Sequence, residues 1–372
     1  MLVLQPLCAR IMNRFLHITV ATCLPLLILM GCSDGVKSEY AKIILAYEGN
    51  DETFFDFADT SSYTCVPLET NEDCLIANYD KVLVNDSLIC VVDQEKANTV
   101  YIFDRKGKFR SKISAQGRGP GEYAQLGSVV LHNGQIIVYD RMSRQMIFYN
   151  ADGKCLKSIH SDRYRSMPFV ALGDDQYASF MGGPHDYGDN AEVIVTDETG
   201  EHLYNRYIPR KKLTTEQGRF DNSNYFSQNN TGIYFIPTFE DVIYRLTDSG
   251  LESVFDFGFK KYMLSFRDIT EDRGPLQLPE KYFSFRDFRI TDNGTFVCCI
   301  TKGTKVIVFL CGNIHSKKLI TWSGDTYPSG LYKDEFVIAL PPSYVANYFP
   351  DVENNDENNH VVLFFDFERY LQ

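Results

Sequence analysis

Two aspartates close strand-like phrases of nearly the same make-up. Asp93 ends Leu88-Ile89-Cys90-Val91-Val92-Asp93, and Asp140 ends Gln135-Ile136-Ile137-Val138-Tyr139-Asp140. Carboxylates placed alike on successive strands are hard oxygen ligands of the kind Ca²⁺ takes, and with imidazole beside them they would suit Zn²⁺. Asp93 and Asp140 are therefore candidate metal ligands; the plainer alternative is an Asp that caps a turn by accepting backbone N–H groups. A second candidate site is the loop Met181-Gly182-Gly183-Pro184-His185-Asp186-Tyr187-Gly188-Asp189-Asn190, which presents His185, Asp186 and Tyr187 together as binding residues, against the alternative of a simple turn. Arg118, inside Gln116-Gly117-Arg118-Gly119-Pro120-Gly121-Glu122-Tyr123, is a third, either meeting a ligand or pairing with an acid between repeats. Other chemistries lack their residues. No Ser sits in a Gly-x-Ser-x-Gly elbow, and the histidines lie at no i,i+2 or i,i+4 spacing from one another. The glycine-rich segment carries no Gly-Lys-Ser/Thr and precedes no helix, so it does not read as a phosphate cradle.

The elements that would position these residues repeat. Thr99-Val100-Tyr101-Ile102-Phe103-Asp104 and Gly107 follow the first Asp phrase as Gln145-Met146-Ile147-Phe148-Tyr149-Asn150 and Gly153 follow the second. Turn glycines continue at Gly200, Gly250 and Gly312, giving intervals of 46, 47, 50 and 62 residues, the length of one four-stranded blade. The spacing predicts an all-β chain, a six-bladed β-propeller of four-stranded antiparallel blades, with seven blades as the rival count. Blades are expected near 75–116, 124–165, 166–212 and 222–260, then a fifth after an insertion at 261–282, and a sixth from Gly330–Leu340 and Val361–Phe367. In the first blade Cys74–Tyr79 is read as one of the extended pieces. Closing the ring requires an N-terminal strand, either Ala41–Tyr47 or Ser62–Leu68, because an open sheet edge invites aggregation. Tyr344–Phe349 could form one helical turn, and Asp351–Asn359 reads as a polar loop.

Composition agrees with strands. The chain of 372 residues holds 27 Phe and 23 Tyr against one Trp, Trp322. Its net charge of −12 argues against a nucleic-acid partner, which would need clustered Lys and Arg.

At its N-terminus, Arg14 precedes an apolar stretch from Phe15 to Met30 that is short for a membrane span. Leu29-Met30-Gly31-Cys32 then resembles the lipobox of bacterial lipoproteins, with Met30 bulkier than the usual residue. The resemblance implies a signal peptide over 1–31, lipidation at Cys32, and a linker over 33–42 before a propeller domain over 43–372. Met12 is a plausible start as well as Met1. Of the seven cysteines left beyond Cys32, Cys65 and Cys74 could meet across a hairpin as a disulfide, while Cys90, Cys298, Cys299 and Cys311 sit in strand-like runs.

The segment Gly117-x-Gly119-Pro120-Gly121-Glu122-Tyr123, followed by Val138-Tyr139-Asp140 and Asp152-Gly153-Lys154, resembles NHL-like, TolB-like six-bladed propellers, and most closely the bacterial six-bladed propeller lipoproteins. In this reading Glu122 accepts backbone N–H bonds where the chain crosses between blades, and Tyr123 packs between them. The fold hosts many functions. The functional expectation is a lipid-anchored propeller of the cell envelope, at the outer membrane, that binds or scaffolds a peptide, glycan or protein partner and needs no cofactor. The alternative implied by the resemblance is a metal-dependent hydrolase or lyase, lactonase-like or amidating-lyase-like, with Ca²⁺ or Zn²⁺ in the central channel. The leading expectation is a non-enzymatic protein, with turnover belonging to the alternative.

Overall fold

The computed structural model describes residues 63–371 apart from 141, 162–168, 174, 181–192, 208–225, 238, 249, 264–281, 303–305, 317, 323–326 and 350–359, together with Ala41 and Ile44. Among the described residues, twenty-four strands form six antiparallel sheets of four strands each, as the repeat spacing predicts. The first blade is β2 (Lys81–Val84), β3 (Leu88–Asp93), β4 (Thr99–Asp104) and β5 (Phe109–Ile113). The second is β6 (Val129–His132), β7 (Gln135–Asp140), β8 (Gln145–Tyr149) and β9 (Cys155–His160). The third is β10 (Phe169–Gly173), β11 (Gln176–Phe180), β12 (Val193–Asp197) and β13 (His202–Tyr207). The fourth is β14 (Phe226–Asn229), β15 (Gly232–Phe235), β16 (Val242–Thr247) and β17 (Gly250–Asp256). The fifth is β18 (Phe283–Ile290), β19 (Thr295–Lys302), β20 (Val306–Asn313) and β21 (Leu319–Trp322). The sixth takes β22 (Gly330–Tyr332), β23 (Glu335–Leu340) and β24 (Val361–Phe365) from the C-terminal part of the chain, and its outermost strand, β1 (Thr64–Pro67), from the other end.

That last pairing closes the ring: Thr64 faces Phe364 and Pro67 faces Val361. Of the two closing segments expected, Ser62–Leu68 is the one used. Ala41 and Ile44 are instead helical and buried against Ile243, Phe257 and Phe285 of the fourth and fifth blades.

Each blade cannot cover its own faces, so the core lies between blades. Along β3, Leu88, Cys90 and Val92 pack toward Val129, Ile136 and Val138 of the second blade. The alternate residues Ile89 and Val91 pack toward Val337, Val362 and Phe364 of the sixth. A strand buried on both faces reads as an unbroken apolar run, whereas the outermost β9 is mostly exposed. Fully burying each such aliphatic side chain contributes about 1.5–3 kcal/mol.

The structure corrects or refines four local readings. Cys74–Tyr79 is not a strand; the segment approaches β2 as coil, and the Cys74 thiol donates to the Glu69 carbonyl at 3.1 Å. Cys65 and Cys74 are both free, Cys65 lying opposite Leu363 in the closing pair. Gly330–Leu340 is two strands split by the turn at Lys333-Asp334, where Lys333 takes a φ of 56°. A helix, α1 (Pro342–Tyr348), stands where one helical turn was expected, and a final short helix, α2, spans Glu368–Leu371. The insertion at 261–282 and the loop at 351–359 lie largely or wholly outside the described residues. Among the described residues no helix is long and apolar enough to cross a membrane.

Candidate functional site

Asp93 and Asp140 are fully buried, and both act as turn clips. Asp140 accepts from the amides of Ala124 at 2.6 Å, Met142 at 2.9 Å and Ser143 at 3.3 Å, and also from the Ser143 hydroxyl. Asp93 does the same with the amides of Asn78 at 3.0 Å and of Lys96 and Ala97 at 2.9 Å. Each carboxylate thus ties the β-turn after its own strand to the segment that leads into its blade, which is the capping reading. Among the described residues no three His, Cys, Asp or Glu side chains converge as a metal cluster.

The glycine-rich crossing is built as read. The Glu122 carboxylate accepts the Gly119 amide at 2.8 Å and occupies the place a Gly117 side chain would need. Tyr123 is wholly buried and donates to the carbonyls of Asn98 at 2.7 Å and Ile113 at 3.0 Å. Gly121 holds a φ of 76° and hands its carbonyl to the Tyr149 hydroxyl at 2.8 Å. Arg118 is exposed on this loop and makes no hydrogen bond or ion pair among the described residues. His185, Asp186 and Tyr187, like Cys32, lie outside the described residues. Among the described candidates, Asp93, Asp140 and Arg118 share no hydrogen bond or ion pair with one another.

The structure brings other residues together. The first strands β2, β6, β10, β14, β18 and β22 touch in order round the ring, and the first closes on the last. They enclose an axial cavity of about 370 Å³. This volume lies within the usual range of small-ligand sites, about 300–1,000 Å³. All six inner strands supply its lining.

One rim is made by the hairpins that follow these strands, and it is stitched from blade to blade. Asp292 accepts the Asn230 amide at 2.8 Å, and Asp334 accepts the Asn293 amide at 2.7 Å. Asp86 receives the Tyr332 hydroxyl at 2.8 Å and the Lys333 ammonium at 3.0 Å. The hydrogen bond from Lys333, then that from Tyr332, holds the Asp86 carboxyl below the usual carboxylate range. Exposed pairs of this kind contribute little stability but fix the rim's geometry.

Deeper in, two cations face the cavity. Arg289 is 5% exposed, pairs with Asp287, and also donates to the Phe288 carbonyl at 2.8 Å. Burial is the largest influence and works against its charge, but Asp287 and Tyr327 together outweigh it and the net shift is upward. Lys81 heads β2, and its ammonium donates to the Val129 carbonyl of the next blade at 3.3 Å. Burial first, and the positive Arg289 second, lower the Lys81 amine to about 8, with Asp287 opposing. Amides complete the wall. Gln228 donates to the Ala171 carbonyl at 2.8 Å, and Asn229 to the Thr291 carbonyl at 2.8 Å, each bridging to a neighbouring blade.

Sequence reasoning missed Lys81 and Arg289, since a charge in a strand ordinarily marks a solvent face. The available signal was placement: Lys81 opens the apolar Lys81-Val82-Leu83-Val84, and Asp287 and Arg289 stand two apart within Phe283–Ile290.

Comparison with known proteins agrees with the architecture. Residues 48–364 match the family model described as a domain of unknown function, DUF4934, and the chain belongs to this family. No curated protein matches the chain in sequence. Among solved structures, one similar protein comes from Bacteroides fragilis NCTC 9343 and is named as a candidate exported protein. It is 19% identical with a TM-score of 0.67, over 85% of this chain and 97% of that one. A member of the DUF4221 family from Bacteroides vulgatus ATCC 8482 is 12% identical with a TM-score of 0.52, over 82% of this chain and 96% of that one. At these identities the likeness is one of fold.

Proposed function

We propose that this DUF4934 propeller is a ligand-binding protein of the cell envelope whose axial channel is the binding site. The observation that carries the reading is the cavity of about 370 Å³ to which all six inner strands contribute. A ring of six sheets with an apolar interior between blades has no need of polar and charged side chains at its axis, and their cost is best understood as serving recognition. The cavity has room for a small molecule, or for one unit of a peptide or glycan whose remainder lies across the rim.

The same proposal places the chain outside the cytoplasm. Its support is the Leu29-Met30-Gly31-Cys32 phrase, with Cys32 as the lipidated residue, and the exported-protein name of the Bacteroides fragilis neighbour. In this reading residues 1–31 are removed, 33–42 tether, 43–372 form the propeller, and the anchor is at the outer membrane. The blades are NHL-like in their turn phrases.

The test is a thermal-shift panel of envelope glycans, short peptides and small metabolites on the protein and on Gln228→Trp. Gln228 is an exposed channel residue on β14, so an indole there fills the cavity without entering an inter-blade core. A ligand at a hundred times its Kd stabilises by about 2.7 kcal/mol. That stabilisation should vanish in Gln228→Trp. A ligand that stabilises both forms equally would move the site off the axis.

A further inference from the structure

The channel, taken as the ligand site proposed above, has a local excess of positive charge below its rim. Lys81 and Arg289 both line it, and among the described residues the carboxylate that meets this pair is Asp287, so the described side chains carry one positive charge in excess at that depth. The Lys81 ammonium has the Val129 carbonyl as its hydrogen-bond partner and no ion pair among the described residues. Arg289 spends one nitrogen, Nη1, on Asp287 and the Phe288 carbonyl, and its other N–H groups meet no acceptor among the described residues. The remaining charged groups on the lining are Asp86, Asp292 and Lys333, all at the rim. Asp86 is paired with Lys333, while Asp292, held by the neutral Asn230, keeps its charge at the exposed rim, where water screens it from the pair below. We propose that the channel selects a small monocarboxylate, whose anionic group is taken between Lys81 and Arg289.

The charge count favours this class over other anions. A single negative charge restores balance, whereas a dianionic phosphate would leave a net negative charge out of water, which is costly. A carboxylate also matches the fork of a guanidinium, with the lysine as a point charge beside it. The lowered Lys81 amine fits the same picture, because a bound anion would offset both burial and Arg289 and raise it again. Binding above pH 8 should therefore take up a proton.

The experiment titrates D-glucuronate and N-acetyl-L-alanine, a sugar acid and an amino-acid derivative, against their uncharged amides by calorimetry. At least one acid should bind at least about tenfold more tightly than its amide. Lys81→Met should abolish that preference while keeping the melting temperature, since it preserves volume and removes a charge from the channel. Arg289→Gln should abolish it too, with a lower melting temperature because the buried ion pair with Asp287 is broken. Acid affinity should fall between pH 7 and 9 in the wild type and stay flat in Lys81→Met. Buffers of different ionisation enthalpy should report proton uptake above pH 8. Failure of both acids to bind, amides that bind as well as the acids, or an acid preference that survives in Lys81→Met would each overturn the proposal. A neutral ligand displaced by Gln228→Trp would refute the carboxylate while keeping the channel. A ligand indifferent to Gln228→Trp would remove the channel itself.

Discussion

Replacing Asp140 by Ala tests whether the buried strand-end carboxylates are clips or ligands. The side chain is fully buried and accepts three backbone amides, from Ala124, Met142 and Ser143, and one hydroxyl. Truncation leaves those donors without an acceptor. An unsatisfied buried donor costs about 1–3 kcal/mol, so three partly buried amides put the loss at about 3–5 kcal/mol, with water entering the gap favouring the lower figure. Asp140→Asn keeps one acceptor oxygen but brings an N–H₂ toward an amide, and should fall between the two. Thermal melts followed by circular dichroism, with and without EDTA, read both questions. The expected result is a large loss in Asp140→Ala, a smaller one in Asp140→Asn, and a chelator-independent wild type. If Asp140→Ala melted with the wild type, the clip reasoning would fail. If EDTA lowered the wild type to the level of the variant, the carboxylate would be holding a cation.

Other consequences follow from equally local features. His360 is buried beside Tyr79, and burial lowers its imidazole to about 4, with Asp93 opposing. The unfolded chain takes up that proton first, so this contribution, about 3 kcal/mol, is complete above pH 6.5 and lost as pH falls toward 4. Denaturation midpoints across that window should slope less in His360→Phe, and an equal slope would contradict the assignment. Gly121→Ala combines a φ of 76° with a new Cβ 2.9 Å from the Cys155 side chain, while Gly134→Ala meets the same backbone sign in open space. The first should be destabilised by about 1–2 kcal/mol more than the second in urea melts, and equality would mean that the approach of Cys155 is relieved freely. Deleting the chain through Pro67 uncovers the β24 edge, so size-exclusion chromatography should show oligomers or aggregates, whereas a stable monomer would mean that the ring does not depend on β1.

The architecture was legible where the physics writes a strong local signal. Blades one and two carry long apolar second and third strands, each ended by an Asp or Asn turn, because Asp93 and Asp140 must clip and β3, β4 and β7 are buried on both faces. The inner strands β10 (Phe169–Gly173) and β14 (Phe226–Asn229) escaped notice for the opposite reason. Both are short; β10 is an apolar run of only five residues, while one side of β14 meets the polar wall of the channel, so Phe226-Ser227-Gln228-Asn229 shows neither alternation nor an apolar run. Cys74–Tyr79 misled because it is apolar enough to be buried at Cys74 and Ile76 yet reaches its place as coil, held by Asp93. The site was less legible still. Whether Lys81 and Arg289 share a cavity depends on how six inner strands stagger round the axis, and no window of sequence contains that relation.

The most direct measurement is a crystal structure of the protein grown with 4-bromobenzoate, a monocarboxylate whose bromine can be located by anomalous scattering. The account predicts a bromine peak on the axis inside the ring of inner strands, with the carboxylate between Lys81 and Arg289, and no such peak in Gln228→Trp. A peak confined to the outer faces of the blades, or an axial peak that persists once the indole fills the channel, would contradict it.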